Sequence, residues 1–109
     1  DARAMTEAGA DVVVSHMGLT TSGDIGAETA LDLETAAERV QAHCDAAKSV
    51  NEDVVVICHG GPIAWPDDAR YVLENTEDVV GFFGASSIER LPTEAAIENQ
   101  AREFKEIEF

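Results

Sequence analysis

Basic residues and cysteines are both scarce in this 109-residue chain. Its 7 lysine and arginine residues stand against 22 aspartate and glutamate residues, which gives a formal net charge of -15. Nucleic acids and anionic membrane surfaces are bound through basic patches, so we expect neither as a partner. Two cysteines are too few for a disulfide framework or a cysteine zinc site. We expect Cys44 and Cys58 to be buried apolar thiols.

Long apolar runs are also missing from the sequence. No stretch approaches the roughly 20 apolar residues that span a bilayer, and no basic-then-apolar leader opens the chain. These absences favour a cytoplasmic protein. Because 45% of the residues are apolar, a disordered acidic chain is not expected. Acidic residues spread over predicted helix surfaces, with few lysines, suggest the hypothesis of an acidic, halophile-type protein.

Three short apolar runs alternate with helical patterns. The strands are predicted at residues 12–14, 54–58 and 79–83, and the helices at 1–8, 31–48, 67–74 and 93–105. Gly9 is a predicted helix stop, Asp67 or Asp68 a predicted N-cap, and Thr93 another. This alternation is typical of right-handed βαβ units in a parallel α/β sheet. The continuous apolar run before His59 further predicts a strand buried on both faces.

Three parallel strands would leave two apolar edges, which natural proteins seldom leave bare. A (β/α)8 barrel takes about 250 residues, so three βα units are a little under half of one. We therefore expect residues 1–109 to be the C-terminal portion of a TIM barrel, containing strands 6 to 8 with their helices. The expected partner is a second copy of the chain or the missing N-terminal part of the barrel.

The active residues of such a barrel lie on the loops after the strands. Two of these loops carry the glycines Gly60, Gly61 and Gly84, which bare backbone N–H groups, and the hydroxyl donors Ser86 and Ser87. Barrels often bind phosphate with their last two such loops. These five residues therefore predict a site for phosphate or carboxylate. The alternative is that the glycines only turn the chain.

Two histidines, His16 and His59, follow apolar strands at equivalent positions. Imidazole titrates near neutrality, so each is a candidate general acid or base, or a donor to a developing enolate oxygen. Alternatively, each ties down its own loop by hydrogen bonds. Glu89 is a further candidate base, and Arg90 a candidate clamp for a small anionic substrate. These two side chains equally fit an ion pair with each other at a helix entry.

The loop after the first strand contains Thr20, Thr21, Ser22 and Asp24, which either close over a ligand or are simply solvated. His43 falls in a helix and is expected at the surface.

Three long segments around these residues resemble one protein family. They are SHMGLTTSGDIGA at 15–27, CHGGPIAWPDDARYVLENT at 58–76 and GFFGASSIERLPTEAAI at 81–97. Together they are similar to the C-terminal part of the phosphoenolpyruvate hydrolase-like TIM-barrel family. That family is similar to indole-glycerol-phosphate synthase barrels and to the TIM-barrel domain of plant tobamovirus-resistance proteins.

The resemblance implies a TIM barrel that acts, as a hydrolase or lyase, on phosphoenolpyruvate or a related phosphorylated or phosphonylated keto acid. The phosphonopyruvate hydrolase and phosphoenolpyruvate mutase enzymes, on which the family's name leans, use Mg²⁺ held by acids. The resemblance therefore implies Mg²⁺ whose ligands lie on earlier strands, outside this chain. The alternative hypothesis is a non-catalytic ligand-sensing or interaction domain on the same scaffold.

Overall fold

A computed structural model describes residues 1–22 and 31–107 of the chain. Its elements, in chain order, are α1 (Ala2–Glu7), β1 (Val12–His16), α2 (Leu33–Lys48), β2 (Val55–His59), α3 (Pro66–Glu74), β3 (Val79–Phe82), α4 (Ser86–Glu89) and α5 (Leu91–Lys105). The predicted α/β alternation is confirmed. Asp24 and the rest of its loop segment at 23–30 lie outside the described residues. Within the described ranges, no helix is long and apolar enough to cross a membrane.

The strands form one parallel sheet in the order β1-β2-β3. Strands β1 and β2 pair without a shift, from Val12 opposite Val55 to His16 opposite His59. Strand β3 joins β2 with an irregularity in register. Because the strands are parallel and adjacent, their carboxyl ends meet at one edge of the sheet. This arrangement brings the two predicted histidines side by side.

Helices α1, α2 and α3 pack beside one another on one face of the sheet. The core lies between them and alternate strand residues. Val40 of α2, Val56 of β2 and Val72 of α3 are completely buried there. The two cysteines are free and buried in this core, as predicted, and burial raises the pKa of both thiols. Both therefore serve as packing residues.

The opposite face of the sheet is bare within the described part of the chain. Val12, Val14, Val55 and Val80 are each between 41% and 69% exposed. The prediction of strands buried on both faces is therefore wrong for this chain taken alone. The physical reason is that the helices in contact with the sheet lie on one side, so each strand alternates between buried and exposed residues. Among the described residues, no helix covers the apolar side chains on the second side.

Helices α2 and α3 do not begin at the predicted residues. Helix α2 begins at Leu33, two residues later than expected, because the Asp32 carboxylate accepts a hydrogen bond from the Thr35 N–H at 2.7 Å and caps it. Helix α3 begins at Pro66, ahead of both predicted caps. Asp68 lies in its first turn and accepts from the N–H groups just before the helix, at 2.8 and 3.1 Å.

The C-terminal helix also begins earlier than predicted. A short helix, α4, follows β3 directly, and α5 starts at Leu91. Thr93 is inside α5, where its hydroxyl donates to the Glu89 carbonyl at 2.6 Å, so it is not an N-cap. Proline at position 92 suits the first turn of α5, because the N–H it lacks has no partner within the helix there.

Candidate functional site

His16 and His59 end neighbouring strands and their rings touch. The ring centroids lie 4.7 Å apart, and the planes meet at 82° in an edge-to-face arrangement. The in-register pairing of β1 with β2 produces this contact directly, because the two residues are opposite each other in the ladder. His16 is exposed and His59 is half-buried. The structure therefore joins two residues that the sequence separates by more than forty positions.

The His16 ring accepts a hydrogen bond from its own loop. The Gly18 N–H donates to His16 Nδ1 at 3.0 Å. A backbone N–H can only donate, so Nδ1 carries no proton and the ring proton of the neutral imidazole is on Nε2. His16 thus presents an N–H donor on the side of the ring away from the loop.

The His59 ring is hydrogen-bonded in the opposite sense. Its Nδ1 lies 2.5 Å from the Phe83 carbonyl oxygen, just beyond the end of β3. A carbonyl can only accept, so Nδ1 carries the proton and Nε2 of the neutral ring has a free lone pair. The Phe83 ring also packs edge-to-face on the imidazole, with centroids 5.0 Å apart. His59 therefore links the loop after β2 to the end of β3.

The glycine pair after β2 allows two loops to pack backbone against backbone. Gly60 and Gly61 have φ of +73° and +61°, a region that L side chains rarely adopt. A Cβ on Gly60 would lie 2.4 Å from the Gly18 carbonyl oxygen, and one on Gly61 would lie 2.4 Å from that of Met17. The Gly61 N–H donates to the Gly18 carbonyl at 2.9 Å, so in this structure it serves the neighbouring loop.

Further backbone bonds tie the loops together. The Met17 N–H donates to the His59 carbonyl at 2.8 Å, and the Thr21 N–H donates to the Gly61 carbonyl at 3.1 Å. On the other side, the Phe83 N–H donates to the Cys58 carbonyl at 2.9 Å. The loops after β1 and β2 and the end of β3 therefore form one hydrogen-bonded unit.

A cavity of about 260 Å³ opens among these loops. Its described lining is His16, Gly18, Leu19, Thr20, His59, Ala85, Ser86 and Arg90. Four predicted site residues, His16, His59, Ser86 and Arg90, thus meet at one place. The lining does not include the other predicted residues, Gly60, Gly61, Gly84, Ser87 and Glu89. The side chain of Glu89 is exposed at the end of α4.

Thr20 belongs to the loop that the sequence predicts either to close over a ligand or to be solvated, and it lines the cavity. It is buried, and its hydroxyl lies 2.7 Å from the Ser86 hydroxyl. Each hydroxyl has one hydrogen, so when one donates to the other, the second hydrogen remains for a further acceptor. The contact joins residues 66 positions apart. No spacing in the sequence signals it.

Arg90 brings a positive charge to the cavity. Its Nε lies 3.2 Å from Glu94 Oε1, one turn further along α5. The predicted alternative, an ion pair of Arg90 with Glu89, is therefore replaced by a pair with Glu94. Both partners are largely shielded from solvent, with side chains 34% and 18% exposed. The ion pair holds the guanidinium of a residue that lines the cavity together with Ser86.

His43, the third histidine, belongs to a different part of the fold. It is exposed, as predicted, and its Nδ1 lies 2.7 Å from the Ser15 hydroxyl. Ser15 is only 2% exposed, on the helix-covered side of the sheet. A nucleophile there has no access to a ligand, so this pair holds α2 against β1.

A larger groove, of about 470 Å³, lies between α2 and α3. Glu34, Glu38 and Asp45 line it, so it repels anions, in contrast to the cavity beside Arg90. Among residues 1–22 and 31–107, no three His, Cys, Asp or Glu side chains come close enough to hold a metal ion.

Comparison with known protein families gives a match over nearly the whole chain. The profile of the family described as "Phosphoenolpyruvate hydrolase-like" matches residues 1–107.

Three curated proteins are similar to the chain over 107 residues, or 98% of its length. The tomato (Solanum lycopersicum) proteins "ToMV susceptible protein tm-1(GCR26)" and "ToMV resistance protein Tm-1(GCR237)" are 56% and 55% identical to it. A "Putative transcriptional regulatory protein y4pA" of Sinorhizobium fredii is 31% identical. The chain spans 14% of the length of each tomato protein and 17% of the bacterial one.

Proposed function

Because the chain belongs to the phosphoenolpyruvate hydrolase-like family, we propose that its loop cavity binds a small phosphorylated or phosphonylated keto acid. In the complete protein this ligand is the substrate of a hydrolase or lyase reaction. The observation that carries the proposal is the meeting of His16, His59, Ser86 and Arg90 around one cavity. Polar side chains at the carboxyl ends of parallel strands are the usual place for chemistry in α/β proteins.

The anionic end of the ligand is assigned to the α4 side of the cavity. The Arg90 guanidinium supplies a cation there, and phosphate and carboxylate are the groups that guanidinium binds best. The Thr20 and Ser86 hydroxyls, which are hydrogen-bonded to each other, add one further hydrogen-bond donor on the same wall. The two imidazoles line the cavity as well and supply a general acid or base, or a hydrogen-bond donor, to the reacting atoms.

The proposed scaffold is a TIM barrel in which this chain contributes strands 6 to 8. The bare apolar face of the sheet supports this, because the inside of a barrel is filled by side chains from all its strands. The length of the relatives leaves ample chain for the other strands. Alternatively, we propose that other copies of the chain cover this apolar face in a homo-oligomer.

Mg²⁺, which the family resemblance implies, does not fit the residues of the described ranges, since they bring no three ligands together. No step of the proposed reaction is assigned to it. Its proposed ligands lie on strands outside this chain.

Replacement of Ser86 by aspartate tests the binding site. S86D puts a carboxylate at the cavity wall, where it repels an anion and occupies its space, so binding of phosphoenolpyruvate to the full-length protein should be abolished. Isothermal titration calorimetry measures the affinity, and circular dichroism checks the fold. S87D is the matched control, because it adds the same charge to the next residue, outside the described cavity lining. Equal affinity of S86D and wild type for phosphoenolpyruvate would show that the anion does not bind at the cavity wall that contains Ser86.

A non-catalytic ligand sensor is the second candidate function. The names of two relatives favour it, since one is called a resistance protein and another a putative transcriptional regulatory protein. Turnover separates the two candidates. The full-length protein, incubated with phosphoenolpyruvate, phosphonopyruvate or oxaloacetate and Mg²⁺, yields product if it is an enzyme. Binding without product identifies a sensor.

A further inference from the structure

The two cavity histidines occupy equivalent positions in the sequence and in the sheet, yet their hydrogen bonds make them chemically different. His16 Nδ1 accepts from the Gly18 N–H, whereas His59 Nδ1 donates to the Phe83 carbonyl. Neutral His16 therefore has its proton on Nε2, and neutral His59 has its lone pair there. The backbone of two different loops imposes opposite tautomers on a touching pair.

We propose that the pair divides the proton chemistry of the cavity: His59 Nε2 is the general base, and His16 Nε2–H is the hydrogen-bond donor that stabilises the resulting oxyanion. The division rests on the proposed function, because it assigns roles within the same cavity. Its target is an O–H group, supplied either by water or by a hydroxyl of the ligand.

Protonation has unequal consequences for the two rings. When His59 takes a proton on Nε2, its Nδ1–H bond to Phe83 remains and strengthens, because the donor becomes charged. When His16 takes a proton, it goes to Nδ1, and the bond from Gly18 is lost, since two donors then face each other. Uptake of a proton at His59 Nε2 therefore leaves the hydrogen bonds of both loops intact.

The proton-transfer step balances within the pair and its target. The O–H bond breaks, the proton forms an N–H bond with His59 Nε2, and the electron pair stays on oxygen. His16 Nε2–H donates a hydrogen bond to that oxygen and keeps its own proton. No oxidant, reductant or further reactant takes part. The oxygen that results is a nucleophile if it came from water, and an alkoxide or enolate oxygen if it came from the ligand.

Nitrogen-15 NMR of the full-length protein, labelled at histidine, tests the tautomers directly. Spectra are recorded about two pH units above the ordinary histidine pKa of about 6.5, where an unperturbed imidazole is neutral. H16Q and H59Q identify the resonances by their loss. We expect the proton on Nε2 of His16 and on Nδ1 of His59. The same tautomer in both rings, or the reverse arrangement, would overturn the proposal whether or not a ligand binds.

Turnover of the three substrates named above tests the roles. The glutamine amide donates from about the position of Nε2 but takes up no proton, so H59Q should lose activity by about a hundredfold or more. H16Q should lose less than H16A, which has no donor. Equal losses for H16Q and H59Q would overturn the division.

Further outcomes distinguish a failure of this division of roles from a failure of the proposed function. A wild-type protein without turnover on any of the three substrates would refute the enzymatic function and, with it, the role of His59 as a base; the tautomers would then show only how the rings are held. A solvent oxygen-18 label in the product identifies water as the source of the O–H group. A product without the label identifies a hydroxyl of the ligand as the source of the O–H group.

Discussion

At the scale of single residues, Gly61 is the position at which the site tolerates a side chain least. Its backbone lies in the left-handed region, at φ of +61°. A Cβ there would lie 2.4 Å from the Met17 carbonyl oxygen and 2.8 Å from the Met17 Cβ. The first of these atoms belongs to the backbone directly after β1, so it has no rotamer with which to move away. Any side chain at this position must push the loop after β1 off the loop after β2.

Replacement of Gly61 by alanine should therefore destabilise the protein strongly. The left-handed conformation alone costs an L residue roughly 1–2 kcal/mol, and the clash should bring the total to about 3 kcal/mol or more. G9A is the matched control, because Gly9 also has positive φ, at +96°, but nothing within 4 Å of its Cβ position. Urea denaturation measures both changes. A G61A variant no less stable than G9A would contradict the close packing of the loops.

At the scale of elements, the start of α2 depends on one carboxylate. The Asp32 side chain accepts a hydrogen bond from the Thr35 N–H, which has no partner within the helix. This hydrogen bond lowers the pKa of Asp32 below its ordinary value of 3.8. Because the charged form makes the stronger cap, the stabilisation is complete above that ordinary value. It is lost as the pH falls through the lower pKa of the folded protein.

D32A should therefore be less stable than the wild type near neutral pH and should approach it in acid, well below pH 3.8. D32N is the control, since asparagine caps a helix without titrating. Urea denaturation midpoints of the three proteins at a series of pH values give the comparison. A difference between wild type and D32A that stays constant with pH would show that the charge of Asp32 contributes nothing.

Element order was predictable because the apolar runs are short and separated by clear helical patterns. Strand β1 was predicted too short because its residues after 14 are polar, although Ser15 is buried under α2 and continues the alternation. Helix α4 was missed because four residues show no periodicity. Thr93 looked like a cap, but its hydroxyl bonds back to the preceding turn.

The residues of the candidate site were predictable only in part. His16 and His59 were identifiable because each follows an apolar run, and parallel strands bring such ends together. The Thr20–Ser86 contact was not identifiable, since it depends on how two loops fold across the sheet edge. Glycine at positions 60 and 61 indicated a need for conformational freedom. The sequence alone did not show that the close neighbour is another loop of the same chain.

At the scale of the whole molecule, the described chain is elongated and incompletely covered. Its radius of gyration is 17.3 Å, against about 13 Å for a compact domain of this length. Helix α5 extends the molecule: its main contacts are with α4, and Ile97 and Phe104 remain about two-thirds exposed. Together with the bare sheet face, this leaves more apolar surface in solvent than a stable monomer usually carries.

The 109-residue chain, purified alone, should therefore self-associate, because burial of its apolar sheet face is favourable. Sedimentation velocity should show a dimer or larger species. V80K, on the bare face, should shift the chain toward monomer. I97K is the control, with a similarly exposed residue and the same change of charge on α5. A wild-type chain that is monomeric and melts cooperatively would contradict the inference of an incomplete barrel.

The net charge of -15 acts against the proposed ligand at long range. Such a field repels an approaching anion, and at physiological salt it is screened over about 8 Å. In the proposed complex, affinity for a phosphorylated acid comes from contacts inside the cavity, whose lining includes the cation Arg90.

The backbone bonds between the loops also have a consequence for dynamics. Met17, Gly61 and Thr21 each donate across the gap between the loops after β1 and β2, so neither loop can detach without breaking bonds of the other. Local opening of proteins proceeds in such cooperative units. Both histidines and the cavity wall between them should therefore open and close as a single piece, with one shared free energy of opening.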